Sequence, residues 1–187
     1  MVLVIIVFVI NLVITWANAY CGGKNLHMAR RVGGFAWLLN WSGIIMAGCG
    51  FTWCYTLLIA GLGYCFNQLT IEQTMLCVNA GYVILAPVVI GTGFVITVHS
   101  WKEFLRRRTV GSGLEVAWNT YAQIHNTSQA ISFFPEAVTN VIDAVGDDDS
   151  DVKTKASIVA IMLAVAALLL GVLTTRYIVV RAASTVV

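Results

Sequence analysis

GFAWLLNWSGIIMAGCGFTWCYTLLIAGLGYCF, residues 34–66, decides the fold class of this chain because none of its 33 residues is charged. A helix needs about 20 apolar residues to cross the roughly 30 Å hydrocarbon core of a bilayer. Residues 2–17, 75–98 and 156–180 are similarly apolar. Because lipid offers the backbone no hydrogen-bond partners, continuous apolar runs of this length are typical of membrane-spanning helices. The sequence predicts an all-α integral, multi-pass membrane protein with about four transmembrane helices.

The composition leaves little material for a water-soluble domain. Of the 187 residues, 59% are hydrophobic and 11% are charged. We divide the chain into a three-span membrane region at residues 1–100, a connection at residues 101–155, and a last span with a short tail at residues 156–187. The net charge of +2 is small and dispersed, which argues against a nucleic-acid partner. We expect the partners to be the lipid bilayer and protein subunits of a homo- or hetero-oligomer.

The first apolar stretch ends in small residues, Ala17-Asn18-Ala19, that resemble a leader-cleavage site. No basic residue precedes the stretch, and a leader usually begins with one. We therefore interpret residues 2–16 as a retained first span.

Basic residues in the short connections predict the orientation of the spans. They form two clusters, Lys24, Arg30 and Arg31 in the first connection and Lys102, Arg106, Arg107 and Arg108 at the start of the third. The second connection carries only the acidic Glu72. This pattern places the first and third connections in the cytoplasm and both termini outside. Arg176 and Arg181 then lie on the wrong side and would have to extend to the headgroups.

The second apolar stretch is longer than one crossing, since 33 helical residues reach roughly 50 Å. Either the helix projects beyond the membrane, or it breaks at Gly48-Cys49-Gly50. Small residues recur along one side of an unbroken helix, and small side chains allow close packing against another helix. The predicted packing residues are Gly43, Ala47, Gly50, Cys54 and Gly61.

Polar and helix-breaking residues mark the third stretch. Pro87 removes a backbone donor near its middle and predicts a kink. Kinked, glycine-bearing spans occur in transporters, but membrane helices also tolerate proline for packing alone. Asn79 predicts a hydrogen bond to another span, with Asn40 and Asn11 as candidate partners. No acidic or basic residue lies at the centre of a predicted span, whereas proton relays and ion-coupled carriers usually have one there.

The connection at residues 101–155 is the only segment long enough for extramembrane structure. Apolar residues recur at helical spacing over residues 113–132, and Pro135 suits the first turn of a second helix that stops at Gly146. We predict a cytoplasmic amphipathic helical hairpin that lies on the membrane surface or against a protein partner. Its predicted contact residues are Arg106, Arg107, Arg108, Trp118, Tyr121, Ile124, Phe133 and Phe134.

The five cysteines form no CxxC pair. Buried cysteines commonly serve as small apolar packing residues, and this is the main interpretation of all five. Cys65 and Cys77 flank the second connection and are the one pair placed for a disulfide.

No motif in the sequence predicts catalysis. His27, His99 and His125 are far apart and lack partners at metal-binding spacing. The acidic run Asp147, Asp148, Asp149 and Asp151 lacks the glycine and distal glutamate of a calcium loop, and it predicts a solvated turn. Neither a Gly-x-Ser-x-Gly sequence nor a phosphate-binding glycine loop occurs. We expect no enzyme activity, no cofactor and no bound metal.

Two classes of function agree with these features. The first is a structural or scaffolding subunit of a larger membrane assembly, such as a viral envelope or a secretion or conjugation apparatus. The small packing face, the surface hairpin and the uncharged spans favour it. The second is a small channel or carrier, favoured by Pro87 and the glycines near it. A lumen lined by Asn40, Asn79, Thr92 and Thr97 would indicate the second class, and a centre filled by protein would indicate the first.

Overall fold

Five long α-helices build the protein in a computed structural model, which describes residues 2–146 and 151–185, without the side chains of residues 2–4, 7 and 151–156. The helices are α1 (Val2–Val32), α2 (Gly34–Cys65), α3 (Ile71–Arg107), α4 (Val110–Gly146) and α5 (Asp151–Ser184). No strand occurs in these described ranges, so the all-α prediction is confirmed. Three helices are long and apolar enough to span a membrane, namely α2, α3 and the Ser157–Ser184 part of α5. They indicate a membrane protein.

The acidic run predicted to form a solvated turn lies mostly outside the described residues, which exclude residues 147–150. Asp151 begins α5.

The first predicted connection is helical rather than a loop. α1 continues past the apolar stretch to Val32, so Lys24, Arg30 and Arg31 lie on its last turns. The reversal into α2 needs only Gly33 and Gly34, whose φ angles are 69° and 52°. Glycine reaches this left-handed region without steric cost, which allows so short a turn.

α2 is one unbroken helix, and the break considered at Gly48-Cys49-Gly50 does not occur. It packs against α1, α3 and α5, and it is the most buried of the three helices that are apolar enough to span a membrane. A helix with neighbours on three sides needs small or apolar residues on most of its circumference. This position accounts for the uncharged run of residues 34–66.

α3 begins at a capping box and continues through Pro87. The Thr70 hydroxyl accepts a hydrogen bond from the Gln73 backbone N–H, and the Gln73 side chain accepts one from the Thr70 N–H, which satisfies two free donors at the start of α3. Pro87 lies inside the helix and is exposed on its outer side. Because the proline ring points away from the bundle, α3 packs against its neighbours on both sides of Pro87.

The predicted two-helix hairpin within residues 101–155 is wrong. α4 is a single helix with Pro135 in its interior. Its inward positions continue at helical spacing through the proline, with Ala130 and Ala137 buried, while Pro135 itself is exposed. Packing on the inner side therefore holds the helix together where the proline removes one hydrogen bond.

The hairpin in the structure consists of α3 and α4, which run antiparallel. They are joined by Arg108, at φ 49°, and Thr109. The Thr109 and Ser112 side chains each accept a hydrogen bond from the other residue's backbone N–H at 3.2 and 3.1 Å. Contacts extend from Phe104 beside Gly113 to Val141, which packs against the cluster of buried residues that includes Leu76. α4 thus follows α3 along nearly its full length.

All five helices alternate in direction between two ends of the bundle. At one end, Lys102 of α3 lies over the Phe35 ring of α2 at 4.5 Å, and Gly23 of α1 adjoins Ala182 of α5. We call this the basic end. At the opposite end, buried Ala60 of α2 packs with Leu76 of α3 and Ala160 of α5, and the C-terminal part of α4 adjoins them.

Charge is divided strongly between the two ends. Nine of the eleven lysines and arginines lie toward the basic end: Lys24, Arg30, Arg31, Lys102, Arg106, Arg107, Arg108, Arg176 and Arg181. The last two are the residues that the four-span prediction put on the wrong side. They join the other basic residues because α4 returns along α3 before α5 begins.

Candidate functional site

The small residues predicted to form one packing face of α2 do not act together. Ala47 and Cys54 are buried, with 1% and 4% of their surfaces exposed. Gly50 lies against Thr15 of α1. A Cβ atom added at Gly43 or Gly61 would meet nothing within 4 Å. The structure therefore places three of the five residues in helix contacts and two at open positions.

Glycines on the neighbouring helices supply close contacts that the sequence analysis missed. Gly81 of α3 faces the Thr56 side chain, and Gly171 of α5 faces Thr52. Gly23 of α1 lies against Val179 of α5. Each glycine lets two helices approach at a point where a side chain would intrude. Spacing within one helix cannot reveal these pairs, because each joins residues far apart in the chain.

Three of the four polar residues expected to line a lumen form hydrogen bonds to helix backbone instead. The Asn40 amide donates to the Gly22 carbonyl of α1 at 3.1 Å, and the Thr97 hydroxyl donates to the Asn119 carbonyl of α4 at 3.2 Å. The Thr92 hydroxyl donates to its own helix at the Val88 carbonyl, 2.7 Å away. These residues lie on different helix contacts and form no shared lumen with Asn79 in the described structure. At the end opposite the basic end, buried Ala60, Leu76 and Ala160 pack together between α2, α3 and α5.

Exposed apolar and basic residues meet at the turn between α3 and α4. We call residues 99–121 the α3–α4 tip. Trp118 and Tyr121 are 65% and 62% exposed, and their ring centroids are 6.3 Å apart. The Trp101 indole donates to the Thr120 hydroxyl at 3.0 Å and ties the two helices together.

The basic residues of the tip differ in their contacts. Glu103 pairs with Arg106, at 3.0 Å, and also with Arg107. Lys102 reaches back to Phe35 of α2. Arg108 occupies the turn itself and is exposed. The tip therefore keeps a net positive charge beside its exposed aromatic rings.

The other predicted surface residues lie further along α4. Ile124 and Phe133 are exposed, whereas Phe134 is partly buried on the side that faces α3. They are therefore not one surface. Ile124 and Phe133 lie on the outside of α4 near its middle, well away from Arg108.

A cleft between α1 and α4 was not anticipated. These two helices make no contact with each other in the described ranges, and a cavity of about 420 Å³ opens between them. Met46, Trp53 and Leu85 belong to its floor, on α2 and α3. Its walls carry four side-chain amides: Asn11 and Asn18 on α1, and Asn126 and Gln129 on α4. The spacings of seven and three residues put each pair on one helix face, and that was the signal available in the sequence.

The disulfide considered as an alternative for Cys65 and Cys77 does not form. Cys65 is exposed at the end of α2, Cys77 is buried in α3, and both are free thiols. Cys49, Cys54 and Cys77 fill small buried positions between helices. Among the described residues, no group of three or more His, Cys, Asp or Glu residues is placed to hold a metal ion.

No family model matches the chain, and no curated protein or solved structure matches it. The tip and the cleft are the two surfaces from which a function can be argued.

Proposed function

We propose that all five helices cross the membrane with the basic end in the cytoplasm. α3 is apolar enough to span, and α4 packs against it from Phe104 to Leu76. A helix in contact with the middle of a spanning helix lies at the same depth. α1 packs in the same way against α2 and α5, and exposes Ile10 and Val13 on its outer side. The proposed topology has the N-terminus outside and the C-terminus inside, in place of four spans and a cytoplasmic hairpin.

The charge distribution supports this orientation. Cytoplasmic segments of membrane proteins carry an excess of lysine and arginine near the span ends. Five crossings bring Arg176 and Arg181 to the same side as the other basic clusters. With four crossings these two residues stay on the opposite side. The five-helix arrangement therefore puts nine of the eleven lysines and arginines on the cytoplasmic side and leaves Lys153 and Lys155 at the other end.

Within this topology we propose that the protein is a structural or scaffolding subunit of a larger membrane-embedded assembly, of the viral-envelope or secretion and conjugation type. The observation that carries the proposal is the α3–α4 tip. The apolar run of α3 ends at Val98, and residues 99–107 extend it by about 13 Å. The tip thus reaches beyond the hydrocarbon at Arg108 and Leu114, and exposed Trp118 and Tyr121 lie level with residues 97–101, where the apolar run ends.

The free energy of burying apolar side chains favours contact between the α3–α4 tip and another surface. Burying a large aliphatic or aromatic side chain contributes about 1.5 to 3 kcal/mol. Leu114, Trp118 and Tyr121, exposed at and beyond the end of the apolar run, therefore favour contact with another surface. Aromatic residues and arginine are also enriched at protein interfaces, where they dominate the binding energy. We assign the tip to a protein partner within the assembly.

A channel or carrier is the weaker candidate. Asn40, Thr92 and Thr97 bond to helix backbone rather than to a lumen. Buried Ala60, Leu76 and Ala160 pack between α2, α3 and α5, which supports the structural class. The cleft between α1 and α4 offers polar groups near mid-height.

The proposal is tested by replacing Trp118 and Tyr121 together with serine. The full chain and the variant are extracted from native membranes in mild detergent, and the mass of each complex is measured. The variant should be found at the mass of the free protein, because the aromatic contact surface is gone. Phe94→Ser is the matched control, since Phe94 is equally exposed but lies near the middle of α3.

The control should keep the mass of the assembled complex. An unchanged complex in the Trp118→Ser, Tyr121→Ser variant would remove the tip from the interface. A wild-type protein found only as a monomer, after cross-linking in intact membranes, would overturn the structural role itself.

A further inference from the structure

The cleft between α1 and α4 lies near the middle of the bundle. Gly50, on its floor, is close to the midpoint of α2, and Val89 is at the midpoint of α3. Asn126 and Gln129 bracket the midpoint of α4. In a bilayer the cleft would therefore open sideways into the hydrocarbon, far from both headgroup layers.

Amide groups at this depth need hydrogen-bond partners. Hydrocarbon offers none, and a polar group buried without a partner is costly. Asn18 lines the α1 wall of the cleft, and Asn126 and Gln129 line the α4 wall. Each amide can both donate and accept. A ligand that satisfies both walls must itself carry a group with both capacities, such as a hydroxyl.

The remaining lining defines the rest of the ligand. Within the described residues, the cleft lining contains no Asp, Glu, Lys, Arg or His. A charged headgroup would find no counter-ion there. The floor is apolar and aromatic, with Trp53 and Tyr82 in edge contact at 6.3 Å. The matching ligand has an uncharged polar head and an apolar body.

We propose that the cleft binds an uncharged, hydroxyl-bearing amphiphile of the monoacylglycerol type, which enters from the bilayer. The head lies between Asn18 on one wall and Asn126 and Gln129 on the other. The acyl chain leaves along the apolar floor toward the lipid. This site is separate from the α3–α4 tip, but it rests on the proposed crossing of the membrane by all five helices.

The size of the cleft favours a small ligand over a helix from a second copy. Its volume of about 420 Å³ is within the range of small-molecule sites, roughly 300 to 1,000 Å³. A helix with side chains is about 10 Å across. Such a helix would lie over the opening of the cleft rather than enter it. The wall amides deeper in the cleft would then have no hydrogen-bond partner.

The test uses the full chain in phosphatidylcholine nanodiscs and a monoolein analogue with a photoreactive diazirine and an alkyne in its acyl chain. Irradiation should label peptides from the cleft lining, and unmodified monoolein should compete. Asn126→Leu and Gln129→Leu should each lower labelling about fivefold, the effect of losing one hydrogen bond. Asn140→Leu is the control, since Asn140 is an exposed amide on α4 outside the cleft.

Two further competitors test the head chemistry. Oleic acid, which carries a carboxylate, and octadecene, which has no polar head, should compete poorly. Circular dichroism melting shows whether each variant is folded. If Asn126→Leu is unstable, the labelling of Gln129→Leu and the competition series decide whether the cleft binds the amphiphile.

Equal labelling of wild type and cleft variants would overturn the proposal, as would labelling spread over the lipid-facing surface. Equal competition by oleic acid would overturn the uncharged head. Cross-links between the clefts of two protein copies, in nanodiscs that contain both, would assign the cleft to a helix of a second copy instead.

Discussion

Single glycines on neighbouring helices set how closely the bundle packs. At Gly171 an added Cβ would come within 2.7 Å of the Thr52 backbone nitrogen and 2.9 Å of its Cα. Backbone atoms cannot rotate away as a side-chain end can. α2 and α5 would have to separate along their whole contact, and that contact holds the centre of the bundle together.

We expect Gly171→Ala to lower the free energy of unfolding by about 1 to 3 kcal/mol, the usual cost of overpacking a tight contact. Thermal melting in detergent measures the change. Gly43→Ala is the matched control because its added methyl group meets open space. It should be neutral or stabilising, since alanine is better than glycine in a helix by up to about 1 kcal/mol. Equal losses in the two variants would contradict the close contact at Gly171.

Individual residues show which helix contacts can be predicted from the sequence and which cannot. The long apolar helix at α2 and its small residues could be predicted, because period and composition are properties of one segment, whereas its continuity through Gly48-Cys49-Gly50 was left open. The choice between Gly43 and Gly171 as the tight contact could not, since it depends on which helix lies opposite. The cleft could not be predicted for the same reason, because Asn11 and Gln129 are far apart in the sequence and line one cleft only in the folded protein.

Among the helices, α4 differs most from the structure that the sequence predicted. Its amphipathic pattern was interpreted as a helix pair on the membrane surface. The amphipathic pattern shows that one face of the helix is covered, but it does not identify what covers that face. A membrane surface could cover it, and so could another helix. In the structure α3 covers it. Pro135 gave a false boundary, because a proline on the outer side of a well-packed helix does not end it.

Cysteine accessibility tests the position of α4. In a variant lacking the five native cysteines, Val110→Cys should react with a membrane-impermeant thiol reagent only from the cytoplasmic side. Val145→Cys should react only from outside, and Ile131→Cys from neither side, since these three exposed positions lie at the two ends and near the middle of α4.

Labelling after full denaturation provides the control that all three cysteines are reactive. A surface hairpin would make every one of them accessible from the cytoplasm, and that result would overturn the crossing of α4.

For the whole molecule, the number of crossings determines the side of the C-terminus. α5 ends at the basic end of the bundle, beside α1. The proposed five crossings put this end in the cytoplasm, whereas the four-span prediction counts α4 as a connection and puts the C-terminus outside. Arg176 and Arg181 agree with the five-crossing proposal, because they then lie on the side of the other basic clusters.

We therefore expect Thr185→Cys, in the same cysteine-free background, to react from the cytoplasmic side together with Val110→Cys. Phe66→Cys, in the connection between α2 and α3, should react only from outside. Both positions are exposed, at opposite ends of the bundle. Reaction of Thr185→Cys from outside would restore an even number of crossings.

The two-residue turn at Arg108 and Thr109 also has a consequence for biogenesis. α4 carries Glu115, Glu136 and Asp143, so by itself it partitions poorly from the translocon into lipid. α3 partitions readily, and so short a turn keeps the two helices together while the chain is being synthesised. The pair should therefore enter the bilayer as one hairpin, with Thr120 and Gln123 of α4 already hydrogen-bonded to α3. Insertion of α3 as part of this hairpin then waits until residues 110–146 have been synthesised.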